Sequence, residues 1–259
     1  MNQSEKRLFL IESLLKERPS CRKQEIPADP ERQKILLRGL MNVRHPGMAA
    51  LEFLRVQDEY LQAETAEKGI TDVDELTPVQ PGLYLWQGDI TTLRCGAIVN
   101  AANSGMTGCY VPNHRCIDNC IHTYAGVELR QYCEELMERQ GFPEPTGQAK
   151  ITPAFNLPCK YILHTVGPII SGRVTKQDEK LLADCYRACL KLAAENGLES
   201  VAFCCISTGE FHFPNDLAAE IALKTVREFL TKDSSVKKVI FNVFKDLDKA
   251  IYAELLGAD

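Results

Sequence analysis

Ser200-Val201-Ala202-Phe203-Cys204-Cys205-Ile206-Ser207 is a nearly unbroken apolar run, ended by Thr208-Gly209-Glu210. A run of this length without polar alternation reads as a strand buried on both faces, the kind found inside parallel sheets. Its neighbours agree. EKLLADCYRACLKLAAENG (179–197) has helical spacing and a stop at Asn196-Gly197, and NDLAAEIALKTVREFLTKD (215–233) is a second helix. Further out, KKVIFNVF (237–244) and KYILHTV (160–166) read as strands and DLDKAIYAELLG (246–257) as the last helix. GLYLWQ (82–87) and AIVNAA (97–102) are short strands, and NCIHTYAGVELRQYCEELMERQG (119–141) reads as one long helix. Strands alternating with helices imply an α/β fold, a parallel or mixed sheet covered on both faces. Ligands of such sheets bind beyond the carboxyl ends of the strands. Here those ends are GDITTL, VNAANSG, HTVGP, STGEF and FKD, so polar, glycine-bearing segments converge on one rim.

The first 76 residues read differently. KRLFLIESLLKER (6–18), PERQKILLRGLMNVR (30–44) and MAALEFLRVQDEYLQAETAEKG (48–69) are three helices, the first expected to stop before Pro19. They predict a helical extension over 1–76 packed on a main domain over 77–259, with Thr77 to Gly82 as the link. No long uncharged apolar run is present, so no membrane span is expected. The N-terminal stretch is broken by Glu12 and Lys16 and does not read as a signal peptide. A net charge of −5 argues against binding a nucleic-acid polymer or an anionic membrane. Eleven cysteines, several in apolar surroundings, point to reduced thiols and a cytoplasmic protein. A monomer is favoured.

Three segments carry candidate chemistry. In GCYVPNHRCIDNCIH (108–122), Cys109, His114 and Cys116 form a sulfur–nitrogen–sulfur set within reach of one ion, and Zn2+ takes such ligands readily. Three ligands with a fourth position open is the pattern of a catalytic metal, although a loop with reduced thiols and a capping histidine would read the same way. Ser207, Thr208, Gly209, Glu210 and Phe211 follow the buried strand as a small-residue loop able to present N–H groups to an anion. No Walker lysine accompanies it. Asp89 could accept from an amino group such as adenine N6, or serve as a turn residue. Asn100, Asn103 and Ser104 offer uncharged groups to sugar hydroxyls, or caps to a turn.

Together the segments QGDIT (87–91), AIVNAANS (97–104), CIDNCIHTYAG (116–126), TGQAKITPAFNLPCKYILHTVGP (146–168) and CISTGEFHFP (205–214) resemble, in order, the macrodomain family of ADP-ribose-binding modules. The resemblance spans about two-thirds of the chain, from Gly82 onward. It implies a three-layer α/β/α macrodomain with a mixed central sheet behind the helical extension. It also assigns roles: Asp89 and Ile90 at the adenine end, Ser207 to Phe211 around the diphosphate, Asn103 by the distal ribose, and Asp118 as the catalytic aspartate ahead of a helix. Where hydrolytic macrodomains have a glycine-rich loop, this chain carries the cysteine–histidine cluster. With the extension, that departure resembles the zinc-dependent protein-ADP-ribose hydrolase subgroup. His122 and Cys120 then read as structural, with Cys120 facing the core. Phe211 could pack on the distal ribose and Phe244 stack near adenine, or each could simply be a core residue. The implied reaction removes ADP-ribose from a mono-ADP-ribosylated protein side chain, with an acidic-residue ester the leading linkage and a serine ether behind it. A non-catalytic ADP-ribose reader with structural zinc and an O-acyl-ADP-ribose deacylase are the alternatives.

Overall fold

The computed structural model describes residues 1–18 and 24–257. Three helices open the chain: α1 (Gln3–Glu17), α2 (Pro30–Val43) and α3 (Leu51–Lys68). Asn2 and Asp29 cap the first two by accepting from the N–H of the third residue of each helix, Glu5 and Arg32, and Gly69 ends α3 at φ 88°. Pro19, the expected stop of the first helix, lies outside the described residues. Leu10, Ile11, Leu14, Leu37, Leu40, Phe53 and Val56 form a small core of their own, to which Val127 is the late-sequence contributor.

The larger core is built on a six-stranded sheet ordered β2 (Leu83–Gln87), β8 (Lys238–Val243), β7 (Ser200–Phe203), β4 (Ala97–Ala101), β6 (Tyr161–Thr165), β5 (Ala149–Pro153). All neighbours are parallel except β5, which pairs antiparallel with β6 at the edge. Helices α4 (Ile117–Ala125), α5 (Val127–Gln140), α6 (Lys176–Glu195), α7 (Asn215–Leu230) and α8 (Asp246–Leu256) provide the crossovers and cover. The expected mixed α/β architecture is therefore present, and every residue of β7 is buried, as its apolar run requires. No described helix is long and apolar enough to cross a membrane.

Four local features differ from the sequence expectation. The single helix over 119–141 is two, broken at Gly126 with φ 103°. A Cβ there would stand 2.7 Å from Gln57 Nε2 of α3, while Gln57 Oε1 accepts from Val127 N at 2.9 Å. The break is thus dictated by a helix 70 residues away in sequence. Strand β5 and the two-residue ladder of β1 (Thr71–Asp72) with β3 (Leu93–Arg94) carry too little pattern to be read locally. Cys120, expected in the core, is half-buried, with Arg38 Nη2 3.4 Å from its sulfur. Phe244 is 76% exposed and no core residue.

From β4 the chain goes out to the edge strand β5, returns to β6 beside β4, and then crosses to β7 and β8 on the other side. The topological switch point lies between β4 and β7, which pair through Ala97–Val201 and Ile98–Ala202. Their carboxyl-end loops, 102–116 and 204–214, flank the crevice where such sheets bind ligands.

Candidate functional site

The loop after β4 turns sharply at Asn113, which takes φ 58°. It ends at Cys116, which caps α4 by accepting from Asn119 N at 3.4 Å. This folding brings Cys109, His114 and Cys116 together, all half-buried, with their donor atoms within 4.8 Å of one another. Cys109 Sγ and His114 Nδ1 stand 3.6 Å apart. That is close to the edge of a tetrahedron with Zn–S near 2.3 Å and Zn–N near 2.0 Å, about 3.5 Å. The donor set therefore fits a soft divalent ion without rearrangement of that pair. Burial, helped by the nearby Cys109, pushes the Cys116 thiol up to about 12 against the Asn119 N–H. The other face of His114 meets Glu210, Nε2 to Oε1 at 3.6 Å, across the crevice.

Asp118, in the first turn of α4, is 5% exposed. Asn100 Nδ2 donates to its Oδ1 at 2.8 Å and Asn103 Nδ2 to its Oδ2 at 3.2 Å. Burial raises its pKa to about 6, opposed by those two amides and by Arg130. Asn103 also donates to Gly108 O, tying the carboxylate to the start of the cysteine–histidine loop. Asn100 is fully buried with its Nδ2 on Asp118 and His164 Nδ1, so it supports the carboxylate from inside the core. His122, behind Asp118, is buried, and desolvation holds its pKa well below the usual histidine value.

A second group, His122, Cys133 and His164, also places its ligand atoms within 4.8 Å. Both ring nitrogens of His164 are engaged, by Asn100 and by Thr152 Oγ1 at 3.0 Å, and all three residues are sealed in the core. That group packs; the half-buried one at the crevice is the candidate metal site.

The loop after β7, expected to hold an anion, is a tight turn. Ser207 is left-handed at φ 65°, and its carbonyl accepts from Phe213 N at 2.9 Å, closing the turn over Thr208 to His212. Gly167 lies directly beneath, where a Cβ would meet Ser207 Oγ at 2.0 Å. Glu210 is exposed, Phe211 half-buried, and Gly209 has open space around it. Asp89 caps the 3₁₀ turn Ile90–Thr92, accepting from Thr91 N, and pairs with Lys68 Nζ at 3.2 Å. The Ile90 side chain is buried, which leaves only its backbone for a ligand.

Sequence reasoning missed Arg130. Buried in α5, it donates to the carbonyls of Met41, Asn42 and Arg44 at the end of α2, and its guanidinium lies 4.2 Å over the Tyr110 ring. An arginine midway along a helix gives no local sign of such partners.

These features have counterparts in known proteins. The Macro domain family model matches residues 99–222, which begin within β4 and hold the cysteine–histidine loop, Asp118 and the loop after β7. A protein-ADP-ribose hydrolase of Treponema medium is 59% identical over 99% of this chain and 100% of its own length. One from Staphylococcus aureus (strain MSSA476) is 48% identical over 97% of this chain and 95% of its own length. Among solved structures, an Oceanobacillus iheyensis macrodomain variant with ADPR superposes at a TM-score of 0.63 and 38% identity, covering 70% of this chain and 96% of that one. Since the full-length relatives match the three helices as well as the sheet, the chain as a whole belongs to the macrodomain family, alongside members named protein-ADP-ribose hydrolases.

Proposed function

We propose that the protein is a zinc-dependent hydrolase that removes ADP-ribose from mono-ADP-ribosylated protein side chains and releases free ADP-ribose. The observation that carries this reading is the placement of Asp118. It is a buried carboxylate gripped by two amides, two residues along the chain from Cys116 and therefore beside three metal donors at the ligand edge of the sheet. The names of the full-length relatives and the ADPR held by a structural neighbour support it.

Hydrolysis breaks the bond between the distal ribose C1″ and the side-chain oxygen and joins C1″ to the oxygen of water. One proton leaves the water and one reaches the side-chain oxygen. Cys109, His114 and Cys116 would hold the zinc, which would supply Lewis-acid chemistry to an oxygen at the ribose end of the crevice. Asp118 takes the proton from the attacking water and returns it to the leaving oxygen. With its pKa near 6 it is mostly ionised at pH 7, yet more basic than an exposed aspartate. Asn103 and Asn100 fix the carboxylate plane, so the proton is taken at a defined place. The N–H groups of Ser207 to Phe211 hold the diphosphate, Phe211 packs on the distal ribose, and Asp89 accepts from the adenine amino group.

Cys116→Ala tests the reading. The variant is expected to lose bound zinc by elemental analysis and to lose ADP-ribose release from a modified peptide, while still binding free ADP-ribose. Cys116→Ser, which keeps a cap for α4, should lose both as well, separating metal loss from helix fraying. Full hydrolysis by metal-free protein would refute the mechanism.

A further inference from the structure

We propose that helix α2 is a working part of the metal site, and that Arg38 and Asn42 are positioning residues which hold the Cys109–Cys116 loop in its metal-binding shape. The inference rests on the zinc reading above and extends it to the N-terminal helices, whose sequence shows no reactive groups. Arg38 and Asn42 stand four apart on α2, one turn along the same face. Arg38 Nη2 donates to the backbone carbonyl of His114, a metal donor, at 2.8 Å. The same nitrogen donates to Asn119 Oδ1 at 3.0 Å.

Asn119 is fully buried and distributes that contact to both sulfur donors. Its N–H reaches Cys116 Sγ, and its side-chain Nδ2 donates to the carbonyls of Cys109 at 3.3 Å and Val111 at 3.0 Å. Asn42 fixes the turn between them. Its Oδ1 accepts from Asn113 N at 2.8 Å, and its Nδ2 donates to Thr123 Oγ1 of α4 at 2.8 Å. The loop lies close on the helix: a Cβ at Gly39 would be 3.1 Å from Asn113 Nδ2. His45 and Tyr110, with ring centroids 5.9 Å apart, extend the contact past the helix end. All three donors are thus tied through one or two hydrogen bonds to a helix that supplies no ligand. The opposite face of α2, with Leu37, Leu40 and Met41, packs into the small helical core. The two faces separate two jobs, and that separation makes the idea testable.

Partners that orient metal ligands typically change affinity by roughly 10- to 100-fold when removed. The experiment compares full-length wild type, Arg38→Ala, Asn42→Ala and Leu40→Ala. It measures zinc affinity by competition with a chromogenic chelator, the visible spectrum of the cobalt-substituted protein, ADP-ribose affinity and thermal midpoint. Arg38→Ala and Asn42→Ala are expected to weaken zinc roughly 10- to 100-fold, to alter the cobalt spectrum and to leave ADP-ribose affinity within about twofold. Leu40→Ala should lower the midpoint and leave zinc affinity unchanged. Wild-type zinc affinity in both polar variants would overturn the proposal while leaving the zinc reading intact. Equal weakening by Leu40→Ala would also overturn it, since general stability would then explain the effect. A wild-type protein that hydrolyses without taking up zinc would overturn both.

Discussion

Asp118→Asn is the most informative substitution, because the structure makes it more than the loss of a charge. Each oxygen of Asp118 accepts from a side-chain amide, Asn100 on one side and Asn103 on the other. An asparagine turned either way sets an NH2 against one of those donors, leaving a buried donor unpaired at a cost of about 1–3 kcal/mol. Asn100 can relieve half of this by turning its own amide, since its Oδ1 has no partner, but His164 Nδ1 then loses its donor. The expected destabilisation is therefore about 1–3 kcal/mol, a fall of roughly 2–6 °C at about 2 °C per kcal/mol for a chain of this size. The catalytic loss is separate and larger, since removing a general base lowers kcat roughly 10²- to 10⁴-fold. Scanning calorimetry gives the first quantity and timed ADP-ribose release from a modified peptide, below the melting transition, gives the second. Zinc-loaded Asp118→Asn protein with kcat within tenfold of wild type would refute the role of Asp118 as base, whatever its stability.

Four other outcomes follow from the same geometry. His164 is buried and held neutral by desolvation, its pKa lowered to about 3, so the unfolded chain binds a proton that the folded one refuses. Stability is then complete above the unfolded value near 6.5 and lost as pH falls towards 3, at about 1.4 kcal/mol per pH unit. His122, shifted the same way, steepens that slope, and urea midpoints between pH 7 and 5 should flatten in His164→Gln. Gly167→Ala drives a methyl into Ser207 and should weaken ADP-ribose roughly 10- to 100-fold, from about 1–3 kcal/mol of overpacking, with zinc content unchanged. Glu210→Gln touches a long, exposed pair and should alter zinc affinity by less than about fivefold in a chelator competition. Val127→Ala, at the seam of the helical core, should cost about 1–3 kcal/mol in urea titration without changing zinc affinity at saturating fold stability.

What the sequence made legible follows physical range. The β7 run is readable because burial on both faces leaves no polar residue between Val201 and Ile206. The Cys109–His114–Cys116 set is readable because a short loop brings its members together with little help from the rest of the chain. The break at Gly126 is not, because Gln57 of α3 makes it. Asn100 offers the same letter as Asn103, yet strand pairing turns its amide inward to Asp118 and His164. Arg38 and Asn42 look like ordinary polar residues of an amphipathic helix; only the fold shows what their face is pressed against.

The reach of Arg130 bears on the order in which the chain is made. Helices α1 to α3 are synthesised first, but the carbonyls at the end of α2 receive their donor from a residue 86 to 89 positions later. Val127, which completes the small apolar cluster, comes from the same late helix. The leading segment therefore gains its last apolar neighbour and the donor for these carbonyls only once α5 has left the ribosome. Closure over so long a separation carries a loop-entropy cost before any contact repays it. That interval is when a nascent chain of this design most needs protection from aggregation.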